Sequence, residues 1–431
     1  MSTSASISSG RRPTLGVIAD DFTGATDVAS MLVNAGMRTI MLIGVPQGAM
    51  PEADALVVAL KSRTTPAEQA VAESLAAQRW LARAGARRFY FKVCSTFDST
   101  PRGNIGPVAE ALLDALQSDF TVVCPAFPEN GRTIFRGHLF VGDQLLSDSG
   151  MRNHPLTPMT DSNLVSVLQA QCRRKVGLIR YDTIARGPQA VQQRIAALRS
   201  EGVALAIADA LSNEDLRVLG AACADWALVT AGSGLALGLP DVYAQHGWIT
   251  PDASAAQLER VGGAAAVLSG SCSSATNEQV ARWEAQRRAV FRIDPRELAR
   301  GEPVAERALD WARGRLRREA VLISATVAPQ PLKQIQSELG VERAGALVEA
   351  CLAQVARGLV EAGVQRLVVA GGETSGAVVQ ALGVTTLRIG AAICPGVPWT
   401  QAEGRALLLA LKSGNFGGPD FFEQALETSA R

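Results

Sequence analysis

Histidine is scarce: only His138, His154 and His246 occur in 431 residues. That supply nearly excludes a multi-histidine metal site. The seven cysteines, Cys94, Cys124, Cys172, Cys223, Cys272, Cys351 and Cys394, are scattered and odd in number, with no C-x-x-C pair. Neither a disulfide scaffold nor a structural zinc is built that way; the pattern suits buried thiols in a reducing cytosol. A charge excess is missing too. Lys and Arg total 42 against 41 Asp and Glu, a formal net charge of +1. This argues against a chain that wraps nucleic acid, but leaves room for a local anion pocket. No apolar run reaches the ~20 residues of a membrane span. The most apolar stretch, near Trp226 to Pro240, is shorter and glycine-rich. Residues 1–13 are Ser-rich, without the apolar segment of a secretory signal, and read as a frayed tail. The expectation is a soluble, cytoplasmic protein with neither membrane nor nucleic-acid partners.

What is present is apolar: 47% of the residues are hydrophobic, which rules out global disorder. The length exceeds the ~250–300 residues at which single cores stop growing, so two domains are expected. Short continuous apolar runs alternate with helical ones: TLGVIA from Thr14, a helix over Ala25 to Ala35 stopped by Gly36, strands at Arg38 to Ile43 and Ala55 to Leu60, then RFYFK and FTVVC. Such strands separated by helices predict parallel sheets covered on both faces. Asn130 to Asp161 differs; it is alternating and turn-rich, and reads as a hairpin followed by a loop. The predicted architecture is α/β, two domains each with a largely parallel sheet flanked by helices. Residues 14–247 form the first, 248–263 a linker, and 264–431 the second.

Candidate chemistry gathers where strands end and helices begin, the edge at which open α/β sheets bind ligands. Asp20-Asp21-Phe22-Thr23-Gly24 follows the first strand. One Asp would serve as a helix cap; two, with Thr-Gly, exceed that need and suit a carboxylate that takes a hydroxyl proton or holds a metal. Lys61 and Arg63 follow a second strand. Lys92 follows a third, with Ser95-Thr96-Phe97-Asp98-Ser99-Thr100-Pro101-Arg102 behind it. Asn130, Gly131 and Arg132 follow a fourth. Each alone is an ordinary polar loop. Four strand ends converging on one rim suggest a small, hydroxylated, anionic substrate, since Arg and Lys suit carboxylates and phosphates. His154 lies in a long irregular run, where a structural hydrogen bond competes with a substrate contact.

In the second half, Ser269-Gly270-Ser271, Gly371-Gly372-Glu373-Thr374 and Lys412-Ser413-Gly414 each end a strand. Glycine turns let backbone amides approach phosphates, and three on one domain suggest a nucleotide. A Walker A loop is absent, as are protein-kinase signatures. Gly232 to Gly238 imitates a dinucleotide fingerprint with the third glycine one place late. It leaves an NAD-dependent hydroxyacid dehydrogenase as a rival, beside a non-enzymatic acid-sugar sensor.

Taken in order, IADDFTGATD, KVCSTFDSTPRGN, PAFPENGR, LSGSC, VVAGGETSGAV and LKSGNFGG resemble the four-carbon acid sugar kinases over nearly the whole chain, from Ile18 to Gly418. Within that family, STFDSTPRGNIGP and SDSGMRNHPLTPMTDSNL are most similar to the 3-oxo-tetronate kinase subgroup, with threonate and erythronate kinases as the alternatives. The resemblance implies phosphorylation of the terminal 4-hydroxyl by ATP with Mg²⁺. It implies an N-terminal acid-sugar domain. It also implies that ATP is held by Ser269, Ser271, Gly371, Gly372, Glu373, Thr374 and Gly414. The catalytic carboxylate is then Asp20 or Asp21, with Asp98 in reserve. Arg63, Lys92, Ser99, Thr100, Arg102, Asn130, Arg132 and His154 are the substrate-binding candidates. Metal ligands stay unassigned, and a homodimer is left open.

Overall fold

The structure is a computed structural model that describes residues 12–46, 48, 50–154 and 157–428. The expected tail therefore lies outside the described residues, apart from Arg12 and Pro13.

The N-terminal half supplies β1 (Leu15–Ala19), β2 (Thr39–Ile43), β3 (Ala55–Ala59), β4 (Arg88–Lys92), β5 (Thr121–Cys124), β6 (Arg132–Phe135), β7 (His138–Val141), β8 (Gln144–Leu145), β9 (Lys175–Ile179), β10 (Val203–Ala208) and β11 (Leu228–Ala231). The C-terminal half supplies β12 (Ala264–Ser269), β13 (Val290–Arg292), β14 (Val321–Ser324), β15 (Val364–Ala370), β16 (Thr386–Cys394), β17 (Val397–Ala402) and β18 (Leu408–Lys412). β1, β3, β5, β10 and β11 are buried at every residue, as expected of strands covered on both faces.

Each half has the expected parallel sheet. In the first the order is β2-β3-β1-β4-β11-β5-β10-β9; in the second, β13-β14-β12-β15-β18. The two are not separate, however. The antiparallel hairpin β16–β17, which sequence reading leaves unassigned, pairs with β18 on one side and with β2 on the other. The result is one 15-stranded sheet. Strands β6, β7 and β8 make the separate hairpin sheet expected between Asn130 and Asp161.

The helix Phe22–Asn34 lies at the seam between the halves. It is buried from Phe22 to Val33, polar residues included. A helix apolar all round is a core helix, and this one is wedged between its own sheet and the hairpin. Its N-terminus meets the helix Gly372–Ala381 so closely that a methyl on Gly376 would lie 2.8 Å from the Phe22 ring. Gly36 follows the helix at φ +83°, the left-handed position that favours glycine after a helix end.

The ladder sets the two parallel sets running in opposite directions, because three antiparallel pairings separate β18 from β2. Six strand steps separate β1 from β15. At ~20–25° of twist per step, those steps turn the strands by about 120–150°. The carboxyl ends of β1 and β15 can thereby face one another.

Candidate active site

The acid cluster forms where β1 enters its helix. Arg63 Nε donates to Asp20 Oδ2 at 2.9 Å and Nη2 to Asp20 Oδ1 at 2.8 Å. The same Nη2 donates to Asp21 Oδ1 at 2.6 Å. Asp21 also caps the helix, accepting from the Gly24 amide at 2.9 Å and the Thr23 hydroxyl at 2.8 Å. The Arg63 loop is pinned by its backbone: Ser62 and Arg63 amides donate to the Asp20 carbonyl at 3.0 and 3.1 Å. Asn104, buried, donates to Ser62 O at 2.7 Å and Thr65 O at 3.1 Å.

The two carboxylates differ. Burial dominates at Asp20 and, despite Arg63, holds its carboxyl above the usual range. Burial presses the same way at Asp21, but Arg63, Lys92, Thr23 and the Gly24 amide outweigh it and hold that carboxyl below the usual range. Asp21 therefore stays ionised. Arg63 is spent largely on these two acids, and only Nη1 has no partner among the described residues.

Lys92 lies behind this cluster, buried at the end of β4, and its ammonium comes against Gly24. No hydrogen bond or ion pair occupies that ammonium among the described residues. Arg132 is half-buried beneath the rim, with Nη1 donating to the Asn130 carbonyl. Burial lowers its affinity for the proton. Arg132 Nε and Asn130 Nδ2 are buried without partners. Buried unpaired donors cost stability unless something binds them, and here they lie among residues assigned to an anionic substrate.

Asp98 accepts from Thr96 Oγ1 at 2.6 Å and makes no contact with Asp20 or Asp21. Ser99 and Thr100 are tied to Gln171, whose Nε2 donates to Ser99 Oγ at 2.8 Å and Thr100 O at 2.9 Å. Two candidates are not brought in. Arg102 is exposed, and its backbone amide alone bonds, to Thr100 Oγ1 at 3.3 Å. His154 accepts at Nδ1 from the Thr157 amide at 3.1 Å, closing its own turn.

The three glycine loops do assemble, at the adjacent carboxyl ends of β12, β15 and β18. Ser269 Oγ and Thr326 Oγ1 are 2.5 Å apart, and Thr326 donates to Ser271 O at 2.8 Å. The Gly371 amide donates to the Lys412 carbonyl at 2.8 Å. A methyl on Gly414 would lie 2.5 Å from Ser271 Oγ, and one on Gly371 3.0 Å from Thr374 Oγ1. Gly371 sits at φ +126°. Backbones this close leave no room for side chains, so the cleft floor is built of amides and hydroxyls.

The two groups face each other. A methyl on Gly372 would lie 3.7 Å from Thr23 Oγ1 and 3.8 Å from Asp21 Oδ2. Glu373 does not point into the glycine loops; it pairs with Lys61 at 2.8 Å, across the seam, and Glu349 approaches Lys61 at 3.8 Å.

Sequence reading missed Asp27, although a polar triad of Thr26, Asp27 and Ser30 inside an apolar helix is a readable signal. Asp27 is buried at the seam. Its Oδ2 accepts from Ser233 Oγ at 2.5 Å, and Oδ1 has no partner. A methyl on Gly396, at the β16–β17 turn, would lie 2.8 Å from Oδ1. Burial pushes this carboxyl up to about 6. Thr276 and Gln171 were also missed, and Lys412 was named only as the start of its loop, without a role.

The rival dinucleotide fingerprint has another purpose. A methyl on Gly232 would lie 2.6 Å from the Pro125 carbonyl, and one on Gly234 2.6 Å from the Ala126 carbonyl. Gly238 packs on Leu216 and Gly220 in the same way. These glycines serve backbone-to-backbone packing, and the run is buried from Gly232 to Ala236, which accounts for the pattern without a dinucleotide.

Comparison with known proteins matches two family models along the chain. Residues 15–239 match a family described as "Sugar-binding N-terminal domain", and residues 266–422 one described as "Nucleotide-binding C-terminal domain". A Cupriavidus necator protein named 3-oxo-tetronate kinase is 64% identical over 96% of this chain and 97% of its own. One of that name from Haemophilus influenzae is 47% identical over 95% of this chain and 98% of its own. A crystal structure from Salmonella typhimurium has TM-score 0.84 and 45% identity, covering 96% of this chain and 99% of that one.

Proposed function

The chain belongs to the 3-oxo-tetronate kinases of the four-carbon acid sugar kinase family, and on that premise we propose that it transfers the γ-phosphoryl of ATP to the 4-hydroxyl of 3-oxo-tetronate. We assign residues 14–247 to the acid sugar and 264–431 to the nucleotide. The observation that supports this most directly is the approach of Gly372 to Thr23 and Asp21. It sets a nucleotide-type turn against the acid cluster.

The chemistry follows from what each group can do. Lys92, with its unoccupied ammonium, and Arg132, with its unpaired Nε, receive the substrate's carboxylate and neighbouring oxygens. Asn130 Nδ2 donates to a hydroxyl or the keto oxygen. Asp21 holds the 4-hydroxyl by accepting its proton in a hydrogen bond. Phosphoryl transfer passes through a loose transition state, so orientation matters more than base strength. A carboxylate that stays ionised suits that role. Asp20 acts through Arg63, fixing the guanidinium that aims Asp21. Asp98 stands outside this contact.

The glycine loops cradle the phosphates with amides and hydroxyls. Mg²⁺ would arrive with the nucleotide and neutralise phosphate charge. Such an ion needs only one or two carboxylates besides phosphates and water. The described residues contain no group of three His, Cys, Asp or Glu placed for a metal.

The test is turnover with ATP-Mg²⁺, and separately with NAD, against a panel of four-carbon acids. ADP release that requires 3-oxo-tetronate supports the reading; preference for threonate or erythronate moves it to a sister activity; reduced NAD overturns it. Asp21→Asn should lower kcat at least ~100-fold with little change in ATP affinity.

A further inference from the structure

Lys412 ends β18 with its side chain 0% exposed. No carboxylate lies within ion-pair distance of it among the described residues. The ammonium instead donates to Ser413 O at 2.9 Å, Gly414 O at 2.8 Å and Thr276 Oγ1 at 3.1 Å. Gly414 O also accepts from Ser273 Oγ at 2.6 Å and Thr276 Oγ1 at 2.8 Å. The main-chain carbonyl of Lys412 accepts from Gly371. One residue is thus bonded to two of the glycine loops and to the helix that follows the third.

An unpaired buried cation is costly, so the arrangement calls for a use. The peptide plane supplies one. In a trans peptide the N–H points opposite to the C=O. Drawing the Ser413 and Gly414 carbonyls inward onto the ammonium turns the Gly414 and Asn415 amides the other way. Neither amide has an acceptor among the described residues. Consecutive amides that point together make a seat for an anion.

We propose that Lys412 is a positioning residue for the nucleotide: it does not touch the phosphates, but by holding the Ser413 and Gly414 carbonyls inward it presents the Gly414 and Asn415 amides to phosphate oxygens. This rests on the nucleotide reading of the glycine loops.

The charge is also poised. Burial pushes the Lys412 ammonium down to about 7, opposed only by the Cys394 sulfur. The other groups facing it are neutral: Thr276, the Ser413 and Gly414 carbonyls, and the Phe421 ring, whose centroid is 5.9 Å away. Above neutrality the ammonium loses its proton, the bonds to the carbonyls lose their charge assistance, and the amides are held less firmly.

The experiment measures ATP and ADP binding by calorimetry, with the KM of ATP and of the acid sugar, from pH 6 to 8.5 for the wild type and Lys412→Met. Titrating the variant with the same nucleotide removes the phosphates' own ionisation from the comparison. At pH 6.5 the variant should bind nucleotide at least ~10-fold more weakly, with the acid-sugar KM within about twofold. The gap should narrow as pH rises through 7, because the wild type loses the charge that the variant never had. Should Lys412→Met fail to fold, Thr276→Val, which removes one partner of the ammonium, should weaken nucleotide binding in the same direction and leave the acid-sugar KM alone. Equal nucleotide affinity in the wild type and the folded variants, or a gap that does not change with pH, overturns the proposal. Absence of nucleotide binding in the wild type would instead overturn the function on which it rests.

Discussion

Replacing Asp27 by Asn should change how stability depends on pH by an amount the structure sets. Burial raises this carboxyl from 3.8 to about 6. Between those values the folded state keeps a proton that the unfolded state has lost, so the group costs stability as pH rises and the cost is complete above 6. The full penalty is about 3 kcal/mol, of which about 2 kcal/mol accrues between pH 4.5 and 7.5. Asparagine has nearly the same shape, and its oxygen can accept the Ser233 hydroxyl bond now made by Oδ2. Its amide, placed where Oδ1 has no partner, costs a fixed amount at all pH values. Absolute stability is therefore the wrong readout, and the slope is the right one. Urea denaturation of both proteins at pH 4.5, 6 and 7.5, extrapolated to water, should show Asp27→Asn gaining about 2 kcal/mol relative to the wild type across that range. Curves that stay parallel would refute the reasoning and mean that Lys92 and Arg132 compensate the buried charge fully.

Other outcomes follow from the same geometry. Arg63→Met strips Asp20 and Asp21 of their shared partner and should cost about 3–5 kcal/mol; adding Asp20→Asn should recover part of that loss in the same denaturation assay. Lys61→Met breaks a bridge between the halves, but its members are half-exposed, so the change in stability should stay below about 1 kcal/mol; a larger loss would make the pair a true latch. Gly376→Ala forces a methyl onto the Phe22 ring and should lower stability by about 1–3 kcal/mol, measured as a lower urea midpoint.

Much of the candidate site is legible before folding because its parts are local. Asp20-Asp21-Phe22-Thr23-Gly24, Lys92 and the three glycine loops each follow an apolar strand, and strand ends are recognisable from composition. Their roles are less legible. Arg63 reads as a ligand for substrate carboxylate, yet most of its donors go to Asp20 and Asp21, a fact set by partners 43 and 42 residues away. Glu373 reads as part of the nucleotide turn, yet it faces Lys61. Arg102 and His154 carry suitable chemistry but stay with their own loops. Asp27 was passed over, and Lys412 was named without a role, because an acid inside a helix and a lysine ending a strand look ordinary until their burial is known.

The sequence by itself determined two α/β halves, the bounds of the first five strands of its parallel pattern up to Cys124 to within a residue, and the chemical character of each rim, because periodicity and turn chemistry act over a few residues. It also showed that three histidines are too few for a multi-histidine metal site. The tertiary structure alone decided that one hairpin, β16–β17, would splice two parallel sheets into one. It alone decided that Asp21 and Gly372 would meet. Those outcomes depend on pairings between residues hundreds of positions apart, and no local pattern encodes such distances.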